Sequence, residues 1–222
     1  MRVRDRMTAH PRTIDYYQSI RDARDLMTET GCRRLPVMKD GKLVGLVTNI
    51  DLSRATPSNA TTLSMHELNY LLARVDVHEA LPPRQQLITI GPDDYVESAA
   101  RLMREHSIGG LPVVENGALV GIITETDIFD AFIDILGVRS EHTRIDFYIK
   151  DHPGTVAEIT GLFGRKNLNI TNSVLFFDDR AQRYKLILRI AGGGCEEVLA
   201  ELRAMGYQPE SVFISGDTPA RN

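Results

Sequence analysis

Gly45-Leu46-Val47-Thr48-Asn49-Ile50-Asp51 and Gly121-Ile122-Ile123-Thr124-Glu125-Thr126-Asp127 are two versions of one phrase, an apolar run closed by Thr-x-x-Asp. Every landmark of the second follows the first by a constant interval (121 − 45 = 76; 127 − 51 = 76). The same interval carries Thr13-Ile14 onto Thr89-Ile90, Leu26-Met27 onto Leu102-Met103, Leu35-Pro36-Val37 onto Leu111-Pro112-Val113, and Leu43-Val44-Gly45 onto Leu119-Val120-Gly121. A short preceding helix also recurs, 3–7 against 77–81, with a loop to the first strand that is two residues longer in the second copy. Across 13–51 and 89–127 the internal duplication needs no gap.

Within each copy the pattern gives a short strand, an amphipathic helix, two strands around a tight turn and a further helix. Val96, Ala99, Ala100, Leu102 and Met103 lay an apolar stripe along one helix, as the helical period requires. Asp40-Gly41 and Asn116-Gly117 are hairpin turns, because a two-residue turn needs residues that accept positive φ. A unit of about fifty residues buries its own sheet poorly, so the two copies are expected to pack sheet to sheet with pseudo-twofold symmetry and equivalent clefts near each Thr-x-x-Asp. Between them, Ser64 and Glu67 have capping-box spacing ahead of Leu68, Leu71 and Leu72, which predicts a short linker helix.

Composition narrows the function. The 222 residues hold 26 Lys and Arg against 30 Asp and Glu, a formal charge of −4, without the basic surplus that duplex binding requires. No apolar run reaches the roughly 18 residues of a membrane span, so neither nucleic acid nor membrane is an expected partner and a cytoplasmic location is expected. Cys32 and Cys195 stand far apart with no neighbour at metal-ligand spacing; both read as reduced thiols, and no metal is expected. His66, His78 and His106 read as surface or helix polar residues.

A threonine at a strand end before a helix offers its hydroxyl beside unpaired N–H groups, where phosphate is favoured. A carboxylate three residues on can accept from ribose hydroxyls. Thr48, Asp51, Thr124 and Asp127 are therefore candidate ligand residues, with Ile14, Ile90 and the segments before Pro36 and Pro112 as walls for an adenine ring. The same Thr and Asp also make a good helix start that needs no ligand, the hydroxyl capping an N–H and the acid opposing the dipole. The copies differ at one place: Arg33-Arg34 precedes the first Leu-Pro-Val, and Gly109-Gly110 the second. Positive charge is thus offered by the first copy only, and Arg34 can hold a polyphosphate in bidentate fashion or simply stand solvated.

These features resemble the CBS domain, and the pair resembles a Bateman module, over residues 1–137. The resemblance implies binding of an adenine nucleotide (AMP, ADP or ATP) or S-adenosylmethionine between the paired units, with residues contributed across the twofold axis and no catalysis by the module itself. It assigns the binding role to Thr48, Asp51, Thr124, Asp127, Ile14, Ile90, Arg34, Pro36, Gly110 and Pro112.

From Thr143 the order becomes strand, helix, strand, strand, helix, strand, the ferredoxin-like split unit. Asp151-His152-Pro153-Gly154 and "NLNI" at 167–170 resemble an ACT domain over 143–215. The resemblance implies an amino-acid ligand, with Asp151, Gly154 and Asn169 (or Asn172) as candidate residues; the plain alternative is Asp151 as N-cap with Pro153 near the first turn. The expected class is α/β (α+β), divided as repeat one 1–56, linker 57–76, repeat two 77–137, linker 138–142, ACT-like unit 143–215 and flexible tail 216–222. The whole is similar to acetoin-utilisation AcuB-type regulatory proteins, which implies a non-catalytic sensor, a homodimer and an unidentified regulated metabolic partner. Two other classes stay open: an interaction module with empty clefts, and an enzyme. Against the enzyme, the sequence holds no Walker loop, dinucleotide fingerprint or nucleophile elbow. Gly192-Gly193-Gly194-Cys195 lacks the Lys-Ser or Lys-Thr a phosphate loop needs, and Asp151 beside His152 is not a catalytic pair by adjacency.

Overall fold

The computed structural model describes residues 1–55, 70, 72–82, 87–138 and 142–214. The chain divides into two compact units, 1–131 and 132–222. The expected linker helix falls outside the described residues apart from Tyr70 and Leu72, as does the expected tail.

In the first unit a 3-10 turn (Val3–Asp5) leads to strand β1 (Thr8–Ala9), β2 (Ile14–Asp15), helix α1 (Ile20–Thr30), β3 (Arg34–Lys39), β4 (Lys42–Thr48) and α2 (Asn49–Arg54). The second copy supplies α3 (Val77–Ala80), α4 (Val96–His106), β5 (Gly110–Glu115), β6 (Ala118–Thr124) and α5 (Glu125–Ile135). Helix α1 starts on a capping box, with Asp22 N donating to Ser19 Oγ at 3.1 Å and Ser19 N to the Asp22 carboxylate at 3.2 Å. Its buried residues, Ile20, Ala23 and Met27, recur in α4 as Val96, Ala99 and Met103, one face of a 3.6-residue period in both. The hairpins close as expected: Asp40 and Gly41 have φ of 49° and 73°, Asn116 and Gly117 of 51° and 82°, the positive pair that matches the twist of the strands.

Docking between the copies is reciprocal. The turn at Val3 donates to Asp94 O (2.8 Å) and Arg4 N to Pro92 O (3.0 Å); Val77 N donates to Gln18 O (2.8 Å) and His78 N to Tyr16 O (3.3 Å). Donors are related by 77 − 3 = 74 and acceptors by 94 − 18 = 76, so the two extra loop residues are absorbed between turn and strand. The N-terminus goes further. Strand β1 pairs antiparallel with β6 (Thr8↔Ile122, Ala9↔Gly121), making the three-stranded sheet β1-β6-β5, while the first copy forms β2-β3-β4. Each copy is completed by backbone from the other.

The second unit contains β7 (His142–Ile149), α6 (Thr155–Arg165), β8 (Ile170–Asp178), β9 (Arg183–Ala191), α7 (Glu196–Ala204) and β10 (Pro209–Ile214). The antiparallel order β10-β7-β9-β8 is that of the ferredoxin-like split unit. One sheet face, carrying Ile145, Phe147, Leu186 and Leu188, packs with Ile159, Leu162 and Phe163 of α6 and Val198 and Leu202 of α7. Asp178 ends β8 and accepts from Arg180 N (2.9 Å), Ala181 N (3.1 Å) and Tyr148 Oη (2.9 Å).

Two outcomes test these features. A Cβ at Gly121 would press on Met7 Sδ and stand 3.2 Å from the backbone oxygen of Thr8, so Gly121→Ala should push β1 off β6 and cost about 1 to 3 kcal/mol, read as a lowered denaturant midpoint. The Ala181 N–H and then the Tyr148 hydroxyl hold the Asp178 carboxyl below its usual range. That contribution is complete above the unfolded value of about 4 and is lost as pH falls through the lower folded value. The stability gap between wild type and Asp178→Asn should therefore narrow on acidification below about pH 4 in a urea-unfolding series.

Candidate ligand clefts

Strand β4 delivers Thr48 to the first residue before α2, and β6 delivers Thr124 to the start of α5. At the first site Thr48 N and Oγ1 donate to Asp51 Oδ2 at 2.9 and 2.5 Å, and Asp51 N donates to Thr48 Oγ1 at 3.3 Å. At the second, Thr124 N and Oγ1 donate to Asp127 Oδ2, both at 2.7 Å. These bonds converge on Oδ2 in both copies. The helix-start role and a ligand role are therefore compatible, since the cap uses one carboxylate oxygen and leaves the acceptor capacity of Oδ1 for another donor.

Each pair opens on a cleft, of about 500 Å³ at Asp51 and about 400 Å³ at Asp127. The two linings are symmetry mates. Leu46, Thr48, Ile50 and Asp51 of one correspond to Ile122, Thr124, Thr126 and Asp127 of the other; Leu87, Ile88, Ile108, Gly109 and Gly110 correspond to Pro11, Arg12, Cys32, Arg33 and Arg34. Each cleft thus takes its Thr-x-x-Asp from one copy and its facing wall from the other. This revises where the arginines act: Arg33, with Arg12, lines the cleft of Thr124 and Asp127, and Arg34 lines both clefts. The cause is the facing arrangement of the copies, which puts the segment before each Leu-Pro-Val opposite the other copy's helix start.

The Arg-Gly difference also has a steric reason. A Cβ on Gly109 would collide with Arg34 Nη2 and come within 2.8 Å of Glu125 Oε2, and one on Gly110 would lie 3.0 Å from Arg34 Cδ. The Arg34 side chain occupies the space its symmetry mate would need.

Of the other residues singled out, Gly110 and Pro112 line the Asp51 cleft. Ile14 and Ile90 are 2% and 5% exposed, buried beside Val37 and Val113 in parallel ladders, and are not among the lining side chains; Pro36 is likewise buried and outside the lining. Sequence reasoning missed Arg12, Arg54 and Glu125, although comparing Arg12 with Ile88 at the repeat interval would have exposed the first. His106 is exposed, His78 stacks on Tyr16 at 4.6 Å, and His66 lies outside the described residues. Cys32 accepts from Thr30 Oγ1 at 3.1 Å, and burial pushes the Cys195 thiol up. Among the described residues no group of three His, Cys, Asp or Glu is placed to hold a metal ion, and no helix is long and apolar enough to cross a membrane.

The model of the CBS domain family matches residues 3–58 and 76–134, together just over half of the chain. The chain belongs to the CBS-domain family. Its CBS pair superposes on a Vibrio cholerae crystal structure described as an acetoin utilization protein (AcuB), with 30% identity, a TM-score of 0.50, and coverage of 63% of this chain and 95% of that one. It is 29% identical to the CBS domain-containing protein YhcV of Bacillus subtilis, over 57% of this chain and 81% of the relative. It is 30% identical to a homoserine O-acetyltransferase of Methanosphaera stadtmanae over 59% of this chain, but spans only 24% of that protein. Across the first four curated relatives the span runs from 24% to 41% of their length.

In the C-terminal unit, α6 starts differently from the plain expectation. Its N-cap is Gly154, in the left-handed region at φ 94°, and Asp151 is exposed three residues before it. A side chain is disfavoured at that φ, so the cap falls to glycine and Thr155 Oγ1 turns back onto His152 O at 2.9 Å. Asn169 is exposed and its carbonyl accepts from Ala191 N at 3.0 Å. Asn172 donates to Ile135 O at 2.5 Å, leaving its buried Oδ1 without a partner among the described residues.

The caps can be isolated from any ligand. Thr48→Ala should cost about 1 kcal/mol in chemical unfolding, because Thr48 Oγ1 accepts from Asp51 N, and Thr48→Ser, which keeps the hydroxyl, should recover most of it.

Proposed function

We propose that the CBS pair is a non-catalytic regulatory sensor that binds an adenine nucleotide or S-adenosylmethionine in its clefts. The observation that carries this reading is the symmetric pair of clefts, each presenting at a helix start a carboxylate whose second oxygen has no hydrogen-bond donor among the described residues, one of them walled by Arg12, Arg33 and Arg34. Asp51 and Asp127 read ribose hydroxyls, Thr48 and Thr124 hold them in place, the arginines meet phosphate, and Gly110 and Pro112 leave room for a flat base. Ile14, Ile90 and Pro36 act from behind the wall by fixing its strands.

The rest of the proposal rests on other supports. The ferredoxin-like order and the left-handed Gly154 are what an ACT-like amino-acid site near Asp151 and Asn169 would use. Similarity to the Vibrio cholerae AcuB structure favours a partner in acetoin or related carbon metabolism, and Phe129, 67% exposed on α5, favours a homodimer. The competing reading, a pair with self-filled clefts, has one observation in its favour: Arg34 already lies across Gly109 and Gly110 beside Glu125.

Thermal unfolding with AMP, ADP, ATP and S-adenosylmethionine decides between them. At about 100 times its dissociation constant a native-state ligand adds roughly 2.7 kcal/mol, lifting the midpoint by about 5 to 10 °C for a chain of this size. The lift should disappear in Asp51→Ala or Asp127→Ala. No shift with any of the four at millimolar concentration would leave the self-filled clefts standing.

A further inference from the structure

We infer that the two clefts divide their ligands by charge: the Asp127 cleft takes the phosphate-bearing adenine nucleotide, and the Asp51 cleft takes an adenosyl ligand without phosphates. The inference rests on the nucleotide-sensor reading and assigns ligand class cleft by cleft.

The linings are related position by position, so their differences isolate what each recognises. The Asp127 cleft holds three arginines, Arg12, Arg33 and Arg34, against one acid, Asp127. The Asp51 cleft holds two, Arg34 and Arg54, against Asp51 and Glu125. One lining is therefore strongly cationic in a chain of formal charge −4, and the other is balanced. Guanidinium groups bind phosphate oxygens bidentately, and three of them on one lining give a polyphosphate several partners at once.

Where the Asp127 cleft carries Arg12, Arg33 and Cys32, the Asp51 cleft carries Ile88, Gly109 and Ile108, joined by Leu46, Ile50 and Leu87. A phosphate chain there would lose hydration against apolar side chains and meet the Glu125 carboxylate, which is unfavourable. A neutral thioether substituent on the ribose would be buried against Ile88 and Ile108, and a cationic sulfonium would be favoured further by Glu125. Arg34 reaches both clefts and so distinguishes neither; the discrimination falls to Arg12 and Arg33, which serve one cleft and are both exposed.

Isothermal titration of the full chain with ATP and, separately, with 5′-methylthioadenosine tests the division. In Arg12→Gln/Arg33→Gln, folding being verified by circular dichroism, ATP affinity should fall tenfold or more while 5′-methylthioadenosine stays within twofold. Asp127→Ala should remove ATP binding alone, and Asp51→Ala thioether binding alone. ATP affinity should also fall more steeply with salt than that of the thioether. ATP binding that survives the double substitution, is lost in Asp51→Ala, or saturates at two per chain would overturn the division while leaving the nucleotide sensor intact. If wild type binds neither probe at millimolar concentration, the sensor reading fails and the division fails with it.

Discussion

The reciprocal backbone exchange between the two copies is the constraint on which the rest of the first unit depends. Val3 and Arg4 complete the loop before α4, Val77 and His78 complete the loop before α1, and β1 extends the β5-β6 hairpin. Backbone groups left unpaired at those places would be costly, so neither copy is a finished structure without the other. Duplication here is a folding requirement before it is a functional one. The same exchange brings the segment before each Leu-Pro-Val against the opposite helix start, and the clefts are the space left at that junction.

The helix starts show how one residue serves two levels of organisation. Thr48 Oγ1 satisfies an N–H group that α2 would otherwise expose, and at both helix starts the aspartate binds the hydroxyl and the backbone N–H of its threonine. A carboxylate fixed by two bonds to one oxygen has a fixed orientation for the other. A ligand at Oδ1 therefore meets a preorganised acceptor, and little ordering cost remains at binding. The stability of the helix start and the readiness of the site are one arrangement.

Local rules made much of this legible in the sequence. The repeat interval predicted the symmetric pair, and Asp40-Gly41 and Asn116-Gly117 announced their turns. The Thr-x-x-Asp pairs were legible as caps and as candidate sites at once. What was not legible depends on pairing across the chain. Nothing in the neighbourhood of Arg33 says that it faces Thr124, because that proximity comes from the exchange between copies. Ile14 and Ile90 read as walls for a base, and their parallel pairing with Val37 and Val113 instead places them in the interior. In the second unit Asp151 had the chemistry of an N-cap but not the backbone, since the left-handed turn at Gly154 took that position.

Sequence symmetry between the copies fails where one side chain already fills the space of its counterpart. Positions 34 and 110 face each other there, and a long side chain at one fills the volume of the other. Two arginines would crowd like charges together, while two glycines would leave the clefts without a shared charged group. One Arg with one Gly relieves the crowding, and the difference then propagates: the copy with Arg33-Arg34 lends its charge to the opposite Thr124-Asp127, and the copy with Gly109-Gly110 lends a wall with Ile88 and Ile108 to Thr48-Asp51. With the symmetry broken there, the two clefts are lined by chemically unlike residues, and a duplicated fold acquires two different linings from one local difference.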